Sequence, residues 1–424
     1  MIKVEVTSTE IIKPSTPTPD HLRTYKLSRY DQTYSLVYVP IILFYGPTDG
    51  GNDNYLERSG QLKKSLSETL TSYYPVAGRI KDDKNMSIEC TDEGVTYIEA
   101  RVQGNISDFM NRNALQHLLP HDLHSKNILK DSEPLLIVQV NSFDCNRIAI
   151  CICMSHKIAD ATTFVTFINS WASASRESTA ESTAVQPTFD LSSLYPPVNG
   201  LNFMGSNDQQ IVSTKRLVFD ASKIAVLRTK YKDPSNGEYP TWVQAVSALI
   251  WKAAIAASSS PRQSISTHAV NMRGRTEPPL PPQSFGDLSI LVVSQPTRKT
   301  SEGEELAGLM KDSISKINCE YTKAMQGEEG YSKFQESMAV SFAGFMENDA
   351  YFFSSWCKIP LYEADFGLGK PVWASVVMLP YKNIIVLMDN KAGDGIEAWI
   401  GLDKEEMTLF ERNQELLDFV SFSD

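Results

Sequence analysis

Two short runs in this sequence carry residues that could do chemistry. The first is Ser155-His156-Lys157-Ile158-Ala159-Asp160. Imidazole titrates near neutral pH. His156 could therefore take a proton from an alcohol and hand it to a leaving thiolate, the work of a general base, typically roughly 10²–10⁴-fold in rate. Asp160, four residues on, stands where it could cap a following helix. H-x-x-x-D is a short pattern, and the same residues also suit a satisfied corner histidine beside a plain helix cap. The second run is Ala364-Asp365-Phe366-Gly367-Leu368-Gly369-Lys370-Pro371. Its glycines permit positive φ or close backbone approach. It lacks the Walker spacing and the full G-x-G-x-x-G of a phosphate loop, so by itself it reads as a structural turn.

The elements around His156 give it a place. The apolar run Ile148 to Met154 precedes it, which suggests a strand buried on both faces. Phe164, Phe167, Ile168 and Trp171 follow at i, i+3, i+4 and i+7, the mark of an amphipathic helix. His156 is thus expected at a strand-to-helix corner. Around this corner the pattern predicts a strand over 36–45 with Pro40 at an edge or bulge, a helix over 57–73, a hairpin over 86–101 turning at Asp92-Glu93-Gly94, and strands at 135–143 and 147–154. Beyond it come a strand at 215–219, helices at 221–231 and 241–257, strands at 265–271 and 288–294, and a helix at 303–324. Strands at 372–378, 383–389 and 395–400 and a terminal helix at 404–418 complete the reading. Residues 173–212, rich in Ser, Thr, Pro, Asn and Gly, make the best linker. Strands and helices mix in both halves, so a mixed α/β (α+β) fold with two similar-sized layers and separate cores is expected.

Taken together, the two runs resemble the BAHD family of plant acyl-CoA-dependent acyltransferases, whose pattern pairs H-x-x-x-D with a later D-F-G-W-G. The likeness extends along the chain through Tyr74-Pro-Val-Ala-Gly-Arg79, Asn271-Met-Arg-Gly-Arg275, Pro278-Pro-Leu-Pro281, Ser355-Trp356 and Gly395-Ile-Glu-Ala398. It is strongest toward the alkaloid and terpenoid O-acetyltransferases of that family. The resemblance implies two chloramphenicol-acetyltransferase-like domains with a solvent channel between them. These would be residues 1–195, joined by a crossover segment of about 360–385, and residues 214–424, with 196–213 as linker. It also implies roles. His156 is the base. Asp160 turns away from the substrate and pairs with Arg273, with Arg275 the runner-up. Asp365, Gly367 and Gly369 hold the architecture without entering the chemistry. Ser354, Ser355, Trp356, Asp287 and Lys252 line the substrate and CoA channel. Acyl-CoA, acetyl-CoA by preference, is the co-substrate, no cofactor is bound permanently, and the acceptor is a small-molecule alcohol. The chain departs from the family twice: Leu368 stands where the loop usually has Trp, and Asp287 where Phe-Gly-Asn is common.

Rival chemistry finds less support. A serine hydrolase would want G-x-S-x-G at a strand-to-helix elbow, which is absent from the sequence. Cys153 as nucleophile would imply an acyl-enzyme, but it falls inside the buried run. A catalytically impaired relative that only binds a small molecule, or an esterase-like hydrolase, remains the alternative reading. His117, His121 and His124 resemble a metal cluster, but Pro120 interrupts the helix that would align them, so no metal is expected. Net charge is -11, with 51 acidic residues against 40 basic, a poor balance for neutralising phosphates, so no nucleic-acid partner is expected. Six cysteines without a C-x-x-C pair suit a reducing compartment. The N-terminus lacks the apolar core of a signal peptide and no apolar run spans a bilayer. A cytoplasmic monomer without membrane attachment is the expectation.

Overall fold

The computed structural model of the chain describes residues 3–34, 36–47, 55–80, 86–109, 112–124, 133–176, 185–201, 212–295, 302–377, 379 and 381–422. Two mixed sheets dominate. The first runs in the order Lys3–Ile12, Val95–Gln103, Leu136–Phe143, Ile148–Ser155, Tyr38–Tyr45, Trp373–Val376. The second runs Ser289–Ser294, Ser264–Asn271, Asp349–Ser355, Ile384–Asp389, Gly395–Leu402, Ser213–Asp220, Ser421–Phe422. Helices pack on both, as the mixed α/β pattern predicts.

The central strand Ile148–Ser155 is buried at every position, because neighbours flank it on both sides and the helix Ala161–Ser175 returns beside it. Its antiparallel partners are Leu136–Phe143 and Tyr38–Tyr45. Pro40 pairs opposite Cys153. The outer neighbour Trp373–Val376 reaches only as far as Ile41. The proline therefore sits where the strand has one neighbour, the place its missing N–H does least harm. The helix Tyr55–Ser72 forms as its apolar spacing predicts and buries Leu62, Leu66 and Leu70.

Trp373–Val376, from late in the chain, completes the first sheet. Trp356, Leu361, Phe366 and Trp373 accordingly pack in the first core. A second core lies between the other sheet and the helices Trp242–Ala257 and Gly303–Ser315. Among the described residues no helix is long and apolar enough to cross a membrane.

Several expectations change. The hairpin at 86–101 does not form: Ser87–Glu89 pairs with Thr24–Lys26, whereas Val95–Gln103 lies between Lys3–Ile12 and Leu136–Phe143. The turn itself exists, with Asp92 at φ 58 and Gly94 at φ 88, but it carries the chain from one sheet to another. The helix at 303–324 divides into Gly303–Ser315 and Cys319–Ala324, because the Asn318 side chain caps a new start by accepting from Tyr321 N. The terminal helix divides in the same way at Asn413. The helix Tyr331–Glu347 and the strand Asp349–Ser355 are additions to the sequence reading. Part of the 173–212 stretch is structured: Leu191–Leu194 is a helical turn, and Leu191 and Tyr195 are buried. Residues 177–184 and 202–211 of it lie outside the described residues.

Candidate active site

The corner after Ile148–Ser155 is built by backbone hydrogen bonds. His156 N donates to Val37 O, and Ile158 N to Ser155 O. Asp160 then opens the helix Ala161–Ser175, its side chain accepting from Thr163 N at 2.9 Å. This satisfies one of the N–H groups a helix start leaves unpaired. The corner leaves the His156 side chain 31 % exposed, so the ring keeps an open aspect while its neighbours are buried.

Asp160 does more than cap. Its Oδ2 lies 2.5 Å from Arg273 Nη1 and accepts from Leu288 N at 3.0 Å. Both partners of the ion pair are almost fully buried. Arg273 spends its remaining donors on Ser284 O, Gly286 O, Thr163 Oγ1 and Asn271 Oδ1. Five acceptors around a planar guanidinium make a rigid clasp. Arg275 points elsewhere, donating to Ile317 O.

The clasp fixes the segment 284–288, which brings Asp287 to His156. Asp287 Oδ2 is 3.2 Å from His156 Nδ1, within ion-pair reach although off the line of an ideal hydrogen bond. Gly286 takes φ 128 to make this turn, and a Cβ there would meet Leu191 Cδ1 at 2.9 Å and Asp31 Oδ1 at 3.1 Å. Asp287 Oδ1 accepts from Ser289 N at 3.0 Å and Ser289 Oγ at 2.7 Å. Ser289 Oγ also meets the Tyr34 hydroxyl at 2.7 Å, and the Tyr34 ring stacks on the imidazole with centroids 4.3 Å apart. Beneath them, Asp31 accepts from Asp287 N at 2.6 Å, and the buried Lys157 ammonium donates to Gln32 O at 3.1 Å.

So many ionisable groups out of water perturb one another. Burial works to lower the His156 imidazole, but the Asp287 carboxylate beside it reverses the effect and the net shift is upward. Burial pushes Asp287 up against the pull of His156. Burial also raises Asp31 to about 7 and lowers Lys157 to about 8. His268, the histidine that is buried among the described residues, stacks flat on Phe353, and burial lowers it to about 4. It is a neutral core ring.

The remaining candidates fall in three places. In Asp365-Phe366-Gly367-Leu368-Gly369, Asp365 Oδ1 accepts from Gly367 N at 2.8 Å, and both glycines have positive φ, 82 and 78. Phe366 packs against Trp171 and Tyr45, and its carbonyl accepts from Ser175 Oγ. The loop therefore docks near the far end of the helix that Asp160 caps, roughly 15–20 Å along it at 1.5 Å per residue. Leu368 is half-buried against the same core. Ser354 and Ser355 end the strand Asp349–Ser355, half-buried, and the Trp356 indole N–H donates to Ser354 Oγ at 3.2 Å. Trp356 meets Phe164 edge-on, which ties it to the helix after His156. Lys252 lies in neither place: its ammonium sits 2.5 Å from Glu302 and 3.0 Å from Glu415, so two carboxylates already neutralise it. Of the histidine run, His117 and His121 are exposed and the His124 side chain lies outside the described residues. Among the described residues no group of His, Cys, Asp and Glu could hold a metal.

Sequence reasoning missed Tyr34, Asp31 and Ser289. The one local signal was Ser28-x-x-Asp31, a capping box at the helix Arg29–Thr33, which marks Asp31 as a cap without revealing what lies behind it.

Residues 2–417 match the model of a family described as Transferase family. The chain is 41 % identical to (13S,14R)-1,13-dihydroxy-N-methylcanadine 13-O-acetyltransferase AT1 of Papaver somniferum, over 97 % of each chain. It is 38 % identical to a limonoid 1-O-acetyltransferase of Citrus sinensis, over 99 % of each. The crystal structure of vinorine synthase superposes with a TM-score of 0.85 at 33 % identity, covering 99 % of both chains. The chain belongs to this Transferase family, the BAHD acyltransferases, and is an enzyme of that class.

Proposed function

We propose that this enzyme transfers an acetyl group from acetyl-CoA to a hydroxyl of a plant specialised metabolite, an alkaloid or a terpenoid, with His156 as general base. The observation that carries the reading is the corner itself: a partly exposed imidazole at the end of a buried strand, beside the buried Asp160–Arg273 ion pair and 3.2 Å from the Asp287 carboxylate. The two relatives named above are O-acetyltransferases, one of an alkaloid and one of a limonoid, which supports the acetyl donor and the acceptor class.

The acceptor oxygen attacks the thioester carbonyl carbon while the imidazole of His156 takes the hydroxyl proton. The C–S bond breaks as the tetrahedral intermediate collapses, and the imidazolium returns its proton to the departing thiolate. No covalent acyl-enzyme is needed. CoA and the alcohol would approach from opposite mouths of a channel between two domains, 1–195 and 214–424. Ser354, Ser355 and Trp356 are placed in this reading beside the acyl thioester. A monomer in the cytoplasm suits this task.

The test is direct. The protein is mixed with acetyl-CoA and a panel of plant alcohols, thiol release is followed, and products are read by mass spectrometry. Acetylated product with wild type and silence with His156→Ala is the expected pair. Thiol release without an ester product would mean a hydrolase, and silence of the wild type across the panel would favour a binding protein.

A further inference from the structure

We propose that Asp287 is a positioning residue for His156: its carboxylate holds the Nδ1–H of the imidazole, fixes the tautomer, and so leaves Nε2 as the atom that receives the acceptor's proton. The inference rests on the reading of His156 as the base and adds what makes it one.

The argument starts from imidazole itself. The neutral ring carries one N–H, and only the other nitrogen can take a proton. A ring protonated at Nε2 cannot be a base there. Something must therefore hold the proton on Nδ1, and Asp287 Oδ2 lies 3.2 Å from it, a stronger influence on the ring than the backbone of His156 itself, which also acts on it. The assignment requires Asp287 to be ionised, because a protonated Asp287 would donate to Nδ1 and force the proton onto Nε2.

Burial, with Asp160 nearby, raises Asp287, and the contacts of its carboxylate with His156 and Ser289 work against that rise to hold the anion. Its Oδ1 accepts from both the backbone N–H and the hydroxyl of Ser289, so two donors already serve the carboxylate. Fully buried, an anion with no further partner would be costly. An N–H on Nδ1, 3.2 Å from Oδ2, is the donor placed to meet that need. The arrangement is held from three sides. Arg273 and Asp160 fix the 284–288 backbone, Asp31 takes the Asp287 N–H, and Tyr34 closes a loop by stacking on the imidazole and reaching Ser289 Oγ.

The charged groups that act on the ring are Asp287 and Asp160, with the Tyr34 phenol over its face, and Asp31 stands behind Asp287. Arg273 is paired with Asp160, and Lys157 stands toward Asp31 and Asp287. Asp287 is the carboxylate in contact with the imidazole. Its charge stabilises the imidazolium formed when the alcohol is deprotonated, which is the moment the reaction needs it.

The experiment uses the full chain with three readouts. Nitrogen-15 NMR of labelled histidine gives the tautomer of His156 in wild type, assigned by loss of its signals in His156→Gln. Diethyl pyrocarbonate, which acylates neutral imidazole, gives the proton affinity of His156 as a function of pH. Acetyl-CoA turnover with an acceptor from the screen gives kcat and KM. The inference expects the Nδ1–H tautomer in wild type. In Asp287→Asn it expects a titration midpoint lower by about one pH unit, a tenfold loss of proton affinity, and kcat reduced roughly 10–100-fold while KM for acetyl-CoA stays within about twofold. An Nε2–H tautomer in wild type overturns it, and that measurement needs no variant to fold. So does an Asp287→Asn enzyme with unchanged midpoint and kcat. Full turnover by His156→Ala would instead remove the general-base reading, whereas a silent His156→Ala beside an unaffected Asp287→Asn would remove only the role of Asp287.

Discussion

Replacing Asp160 by Asn removes one charge and leaves an oxygen in place. The amide oxygen can still cap the helix through Thr163 N, and Arg273 keeps Ser284 O, Gly286 O, Thr163 Oγ1 and Asn271 Oδ1. What is lost is the counter-charge of a guanidinium only 2 % exposed. Breaking a buried ion pair from one side costs about 3–5 kcal/mol, and the surviving acceptors set Asp160→Asn at the low end, about 3 kcal/mol. Arg273→Met is expected to cost a similar amount, because Asp160 would retain only the N–H groups of Thr163 and Leu288. The double variant buries neither charge. Its loss should fall short of the summed single losses by about 1–3 kcal/mol, the range for residues in direct contact. Urea unfolding followed by tryptophan fluorescence and circular dichroism measures all four species. Single losses that simply add, with coupling below about 0.5 kcal/mol, would refute the view that the two charges act as one unit. Turnover adds a second reading, since this clasp sets the 284–288 backbone: kcat should fall in all three variants, including the double one, in which neither charge is left buried alone.

Other outcomes follow from the same geometry. The rate should fall on the acid side as His156 gains a proton, and because its shift is upward, the midpoint of kcat/KM should lie above the ordinary histidine value of about 6.5. The matching stability term is full below that ordinary value and disappears as pH rises through the raised one, so His156→Ala should flatten stability across this window in a urea titration at stepped pH. Phe366→Ala should cost about 3–5 kcal/mol by emptying its site against Trp171 and Tyr45, with kcat per folded molecule changed less than twofold; a large kcat loss at preserved stability would put the loop in the chemistry. Lys252→Met should leave KM for acetyl-CoA within about twofold, because two carboxylates already hold the ammonium and partly exposed pairs of this kind contribute about 0–1 kcal/mol. A tenfold rise in KM would restore Lys252 to the CoA path.

The strand-to-helix corner at His156 was legible because its signals are local. An unbroken apolar run, a histidine, a capping acid and a helical stripe lie within 148–171, and each follows from periodicity or cap chemistry alone. The loop at 364–371 was legible as a turn for the same reason, its glycines and proline being punctuation. The surroundings of His156 were not. Tyr34, Asp31 and Ser289 reach it only through contacts between segments more than a hundred residues apart, and no spacing rule encodes a pairing of that length. The helix Tyr331–Glu347 escaped because its buried positions are few, Phe334 and Ser341, which leaves a weak stripe. The hairpin at 86–101 failed for a related reason: a turn signal says that the chain reverses, not which sheet each arm joins. Lys252 illustrates a third limit, since a lysine's partners decide whether its charge is free, and Glu302 and Glu415 lie far away in sequence.

The last strand of the first sheet, Trp373–Val376, also governs how the molecule comes into being. As the chain leaves the ribosome, Tyr38–Tyr45 emerges early, but the segment that zips onto its outer side is made near the end of synthesis. Until then an apolar edge stays open, the kind of surface that recruits strands from other nascent chains. Closing a loop of such length is slow beside forming local hairpins. A copy truncated before residue 373 would thus carry a permanently unsealed border, and helpers that shield exposed edges during translation should matter more for the yield of this enzyme than for a protein whose halves fold independently.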